Sequence, residues 1–268
     1  MPLTSLSSSS ANGFPDPDGR DLWFAMLGPL EMEVAGERVP VPGIRARSLL
    51  VSLLVQRNQV VRLDRLIESI WEAPPATAVA QVRNLVAELR KSLQTARGRE
   101  VLETSPGGYR LVVADAEVDA TQAEHCLLEG AAAAAEGDHH LALDRFSGSL
   151  ALWRGEPLGD ITPALARAWR PRFTELRRRA VLGLSRARLS LGMYEEAVTE
   201  LLDAVVELPF DEELRLLLVS ALHRGGRTTA ALEACRETRR YFLEHLGTDP
   251  GPALRDLEVQ ILRGDALP

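Results

Sequence analysis

The sequence predicts a mainly α-helical protein of two domains: a small N-terminal one with antiparallel β elements, then a larger all-α one. Three observations carry this. Apolar residues change period from two to 3.6 near Ile44. A glycine-rich turn, Pro106-Gly107-Gly108, separates two short apolar runs that follow three helical segments. A spacing of Gly, Ala and a large or apolar residue recurs at Gly137, Gly192 and Gly226, the last two 34 residues apart.

Leu22–Val41 alternates apolar residues with Gly, Pro and charges, which predicts short strands at Trp23–Leu27, Leu30–Val34 and Arg38–Val41, with a turn at Gly36. Ile44, Leu49, Leu50, Leu53 and Leu54 then fall on one helical face. A second helix follows Leu63, with Asp64 in its first turn and Leu66, Ile67, Ile70 and Trp71 apolar; Pro74-Pro75 is expected to stop it. Thr77 is placed to cap a third helix reaching about Gln94. Its apolar set is Val79, Val82, Val86, Leu89 and Leu93, with Leu85 at the edge. The opposite face carries Ala80, Asn84, Ala87 and Lys91, flanked by Arg83 and Arg90 on one side and by Gln81 and Glu88 on the other. Arg97-Gly98-Arg99 leads into a hairpin of Val101–Glu103 and Tyr109–Val113. Strands, three helices and a hairpin, in that order, are the layout of a winged helix-turn-helix over residues 20–114. Helices two and three form the helix-turn-helix and the hairpin is the wing.

From about Val118 the chain reads as helical throughout, a tetratricopeptide-like all-α domain over 115–266. Gly137, Ala142 and Phe146 correspond to Gly192, Ala197 and Leu201, and to Gly226, Ala231 and Cys235. The first two sets lie 55 residues apart, so the array is irregular, with an elongated helix at about Pro163–Leu191. Residues 1–19, rich in Ser, Asp and Pro without a basic start or apolar middle, read as a disordered leader rather than a signal peptide. On this division, the helical half is expected to govern assembly and regulation, and a fragment ending near Ala116 to keep the nucleic-acid preferences of the full chain.

The formal net charge is −7, and it is unevenly spread. Residues 20–114 hold thirteen basic and ten acidic residues, whereas Asp115 onward holds eighteen and twenty-six. Opposite signs in the two halves point to different partners for each. No run of eighteen uncharged apolar residues occurs, so no membrane span is expected. The only two cysteines, Cys126 and Cys235, suggest neither a disulfide framework nor a zinc cluster and fit a cytoplasmic protein. There is no Gly-x-x-x-x-Gly-Lys-Ser/Thr loop, and Lys91, the only lysine, sits in a helix. Adjacent His139 and His140 point about 100° apart on a helix, so with Asp138 they read as surface rather than as a metal site. Neither catalysis, a metal nor a cofactor is expected. Arg177-Arg178-Arg179, flanked by Glu175, reads as a solvated helix face rather than a nucleic-acid patch.

The chain resembles the antibiotic regulatory proteins of actinomycetes. The resemblance rests on Leu27-Gly28-Pro29-Leu30-Glu31, Arg45-Ala46-Arg47-Ser48-Leu49-Leu50, Val60–Ile67 with Trp71, Val86–Lys91, Pro106–Leu111 and Trp153-Arg154-Gly155-Glu156-Pro157-Leu158. It implies a response-regulator-type winged helix, a bacterial transcriptional activation domain, and activation of a secondary-metabolite gene cluster. It further implies that the chain binds direct repeats in double-stranded promoter DNA, associates with itself there, and contacts RNA polymerase and its sigma factor. The third helix departs from the family at Ala80-Gln81-Val82-Arg83 and at Glu88, so no operator sequence carries over. A helical adaptor or ligand sensor, or a repressor, is the alternative reading.

Within the winged helix, the candidate contacts follow from residue type. Small Ala80 and Ala87 would let the third helix approach the major groove, where Asn84 suits adenine edges and Arg83, Arg90 or Lys91 suits guanine or phosphate. Thr77 stands at the start of that helix. Arg45, Arg47, Arg97 and Arg99 are candidate phosphate contacts or else solvated arginines. Arg110 either enters the minor groove, with Gly107 and Gly108 letting the backbone approach, or the glycines simply make the turn. Glu68 and Glu72, one helical turn apart beside Pro74-Pro75, form a candidate polymerase-facing surface.

Overall fold

The computed structural model describes residues 22–93 and 100–264; the leader expected at 1–19 lies outside them. Two compact units are present, one holding the described residues up to Gln122 together with Leu152–Arg170, the other Ala123–Ala151 and Pro171 onward. No helix among the described residues is long and apolar enough to cross a membrane.

The first unit is a winged helix. Strands β1 (Leu22–Ala25), β2 (Glu31–Val34) and β3 (Glu37–Arg38) form one antiparallel sheet, with Phe24 opposite Met32. Ala35 and Gly36 both have positive φ, the turn that matches the twist of a two-residue hairpin. Helix α1 (Ile44–Leu54) buries Leu49, Leu50, Leu53 and Leu54, but Ile44, assigned to that face by periodicity, is exposed in the first turn. Helix α2 (Leu63–Ile70) ends before Trp71, whose backbone is already extended, so Pro74-Pro75 does not terminate it. Helix α3 (Ala78–Leu93) buries Ala78, Val82, Val86, Leu89 and Leu93, whereas Val79 faces outward.

The wing has one strand more than the periodicity suggested. Val61–Arg62 forms β4, which pairs with β6 (Gly108–Leu111), and β6 pairs with β5 (Leu102–Ser105), giving the order β4-β6-β5. Gly108 makes this possible: a Cβ there would lie 2.0 Å from the Val61 carbonyl oxygen. The residue is buried, so its lack of a side chain serves strand pairing and does not open the backbone to DNA, as a sequence reading had allowed. Gly107, in the exposed turn with φ +81°, has open space around it.

The expected division at 114/115 does not coincide with the compact units, and residues 152–162 are not helical. Two later stretches complete the winged helix. Asp119, at the start of α4 (Asp119–Ala135), is buried and accepts the backbone N–H groups of Met26 (2.7 Å), Leu27 (2.8 Å) and Ala120 (2.6 Å). Burial pushes its carboxyl up to about 6, while those N–H groups and nearby Arg154 pull the other way. Between α5 (His139–Ala151) and α6 (Pro163–Ser190) runs an irregular strap. Its Arg154 N–H donates to the Leu27 carbonyl (2.8 Å), and Asp160 accepts from the Leu30 N–H (3.2 Å). Thr162 donates its N–H to the Ser48 hydroxyl (2.9 Å) and its own hydroxyl to the Ser69 carbonyl (2.7 Å). The strap thereby touches the first sheet, α1 and the end of α2.

The second unit is all-helical, with α7 (Tyr194–Glu207), α8 (Glu212–Arg224), α9 (Thr228–Leu246) and α10 (Pro252–Arg263) stacked after most of α4, α5 and the rest of α6. The recurrent sequence spacing has a physical identity here. Gly137, Gly192 and Gly226 all have φ near +80°, and the next N–H in each case reaches back five residues, to Ala133, Arg188 and Leu222. That is the Schellman ending of a helix, which needs a residue free of Cβ strain. The following Ala142, Ala197 and Ala231 are completely buried where paired helices approach. Asp138, read as part of a surface cluster, accepts the Leu141 N–H at the start of α5. Arg178 is ion-paired with Asp211 and Glu213, so it is bound into the unit and is not a solvated face.

Two outcomes are expected. Asp119→Asn turns an N–H₂ toward backbone donors and should cost about 1–3 kcal/mol of stability in denaturant unfolding of the full chain, and a fragment ending near Ala116, lacking Asp119 and the strap, should be less stable still. Gly108→Ala should cost about 1–3 kcal/mol through overpacking against Val61, and more than Gly107→Asn; equal costs at the two glycines would contradict this account of the wing.

Candidate nucleic-acid interface

Helix α3 is amphipathic because its buried residues repeat every three or four positions and fix what remains outside. Against α1, α2 and β5 it sets Val82, Val86, Leu89 and Leu93. What it leaves exposed is Val79, Ala80, Arg83, Asn84, Ala87, Glu88 and Lys91. Ala80, Asn84, Ala87 and Lys91 step by four, three and four residues, one stripe along the helix. The two alanines make it shallow, and the polar groups on and beside it are an amide and two cations, with Glu88 displaced to a flank. Among the described residues, none forms a side-chain hydrogen bond or ion pair with Arg83, Asn84 or Lys91. Exposed donors with no internal partner, on a shallow helix face, are chemically able to meet base edges and phosphates.

The other candidate residues are engaged within the fold to different degrees. Exposed Thr77 accepts the side-chain amide of Gln81 (2.9 Å), and Gln81 in turn accepts from Arg45 (3.3 Å). The Arg45 guanidinium also lies 5.4 Å from the centre of the buried Trp71 ring. Arg45 and Thr77 therefore frame the entry to α3. Arg47 is tied to the strap instead: its Nε donates to the Asp160 carbonyl (2.8 Å) and its Nη1 to the Val41 carbonyl (3.3 Å). Arg90 is bonded to β5, donating to the Leu102 carbonyl (2.9 Å) and the Thr104 hydroxyl (2.8 Å). Arg110 lies across the hairpin on Glu103, with Nε 2.9 Å from the carboxylate. Arg97 and Arg99 lie outside the described residues. Glu68 pairs with Arg65 (3.0 Å) and Glu72 with Arg167 (3.1 Å), all four side chains well exposed.

Some of this site was not found from the sequence. Arg62, in β4 beside the wing, forms a two-point pair with Asp64 (3.1 and 2.9 Å), which raises the guanidinium's pKa and lowers the carboxyl's through the hydrogen bonds. The signal was the Val60-Val61 pair ahead of Leu63, a short β-branched run that reads equally well as a loop. Gln81, assigned only to a flank, links Arg45 to Thr77.

Comparison with known proteins gives this geometry its setting. Residues 43–111 match the family described as transcriptional regulatory protein, C terminal, and residues 118–262 match the bacterial transcriptional activator domain. The chain is 32% identical to the regulatory protein DnrI of Streptomyces peucetius over 90% of its own length and 92% of that protein. It is 35% identical to the regulatory protein AfsR of Streptomyces griseus, covering 91% of this chain but 25% of that one. The solved structure of Mycobacterium tuberculosis EmbR in complex with low affinity phosphopeptide superposes with a TM-score of 0.89 at 33% identity, covering 92% of this chain and 66% of that chain. The chain thus spans a quarter of AfsR and just under two thirds of EmbR. A winged helix with an open α3 stripe, followed by helices matching an activator domain, places the chain in the actinomycete antibiotic regulatory protein family of DNA-binding transcriptional regulators.

Proposed function

We propose that the chain is a sequence-specific transcription activator, working in the cytoplasm on promoter direct repeats of a secondary-metabolite gene cluster. Helix α3 enters the major groove; Asn84 reads a base edge, and Arg83 and Lys91 take guanine or phosphate. The observation that carries this is the exposed Ala80-Asn84-Ala87-Lys91 stripe, whose polar groups have no partner among the described residues. Arg45 and Thr77 flank the stripe where a phosphate strand would pass. Activation, as opposed to repression, is supported by the match of residues 118–262 to an activator domain. Copies side by side on the repeats hold RNA polymerase and its sigma factor at the promoter. Glu68 and Glu72 serve as one polymerase-facing surface, since exposed ion pairs such as theirs with Arg65 and Arg167 are worth little and exchange readily.

Asn84→Ala should weaken selected sites over random duplex by about 1–3 kcal/mol if its contact is bidentate, measured by competition binding; equal loss on both DNAs removes its role in reading sequence. Lys91→Ala should flatten the log–log salt dependence of binding by about 0.9 if it holds one phosphate. Replacing Glu68 and Glu72 together by Ala should leave promoter binding within about twofold while lowering transcription by purified polymerase; undiminished transcription removes this surface from the mechanism.

A further inference from the structure

We infer that Arg90 is a positioning residue that fixes the wing against the recognition helix and does not serve as a phosphate contact. The inference rests on the reading of α3 and the wing as the two DNA-facing elements. Arg90 lies in the last turn of α3, on the flank of the open stripe. Its side chain is only 31% exposed and spans to β5 by two bonds, from Nε to the Leu102 carbonyl and from Nη2 to the Thr104 hydroxyl. The Glu100 carboxylate stands 3.9 Å from the same guanidinium.

The geometry of β5 makes these bonds consequential. In the order β4-β6-β5 it is an edge strand, joined to the sheet among the described residues through β6. Leu89 and Leu93 of α3 and Leu102 of β5 are buried where the two elements meet, but apolar burial is non-directional and tolerates sliding. Arg90 supplies the direction. A guanidinium is planar and presents its N–H groups in a fixed fork, so two bonds to one strand, one to a backbone carbonyl and one to a side-chain hydroxyl two residues on, set both register and tilt. A lysine keeps the charge but cannot reproduce the fork. The tilt of the wing decides whether its tip reaches the groove next to the one that α3 occupies.

The two roles for Arg90 give opposite results in the full-length chain on a duplex it selects from a random library. As a positioning residue, Arg90→Lys should bind on the order of tenfold more weakly, ~1.4 kcal/mol, with an unchanged salt slope. Hydroxyl-radical protection on the wing side should fade while major-groove methylation protection by α3 persists. Thr104→Val, which alters no charge, should give the same selective loss, and the two substitutions together should cost no more than either alone. Thermal melting of Thr104→Val should match the parent chain, which separates a shifted wing from an unfolded one. Arg90→Lys with wild-type affinity and a full wing-side footprint would overturn the inference, as would additive effects of the two substitutions. A parent chain that protects no duplex at all would instead defeat the DNA-binding reading, and this inference with it.

Discussion

A carboxylate almost wholly withdrawn from water organises the first unit. Asp119 lies 93 residues from Met26 in sequence, yet it takes the N–H groups of Met26 and Leu27 just where β1 has ended and those groups have lost their sheet partners. Buried backbone donors must find acceptors, and an anion there answers two of them together with the Ala120 N–H in the first turn of its own helix. The charge needs a counterion, and Arg154 approaches to 3.8 Å while also reaching Glu31 and the Pro29 carbonyl. Once Arg154 is fixed, the strap that carries it follows, and with it Asp160 on Arg47 of α1 and Thr162 on Ser69 of α2. The orientation of the helix-turn-helix is therefore linked to residues that the sequence assigns to the other half.

Legibility followed the range of the interaction. The three helices of the first unit, the β5–β6 hairpin and the Gly–Ala repeats were readable because periodicity and turn chemistry are local properties. The strap was not readable. It has no period, and its work is done by bonds such as Asp160 to Leu30, across 130 residues. Asn58 is similar: at φ 64° it exchanges bonds with Val113 and anchors the end of the wing, but in sequence it is an ordinary polar residue after a helix. Ile44 and Val79, read as core positions, are both exposed. Both lie in the first turn of a helix, where the sequence pattern has no preceding turn to fix its phase, and in α3 the buried face takes Ala78, one position before Val79.

In the candidate site, the α3 stripe was legible because it is what the buried face leaves over. The arginines were not. A guanidinium that meets a phosphate and one that caps a strand edge look alike in sequence, and this chain has a single lysine among 31 basic residues, so basicity marks nothing. Only the folded arrangement separates Arg83, which faces outward, from Arg47, Arg90 and Arg110, which are bound within the fold.

This internal use of arginine bears on how the protein engages DNA. Arg38, Arg47, Arg57, Arg62, Arg65 and Arg110 all have carboxylate partners in the first unit. The excess of positive charge over 20–114 is three, and the described cations that face outward without a partner on α3 are Arg83 and Lys91. Non-specific affinity scales with the number of phosphates neutralised, so an α3 with two such cations contributes little to the holding of random DNA. Weak single contacts become selective when two copies bind adjacent sites, because the second binding event then acts at high effective concentration. On the function proposed above, a recognition surface with few charges and an exposed amide is suited to direct repeats, where occupancy depends on both half-sites being right.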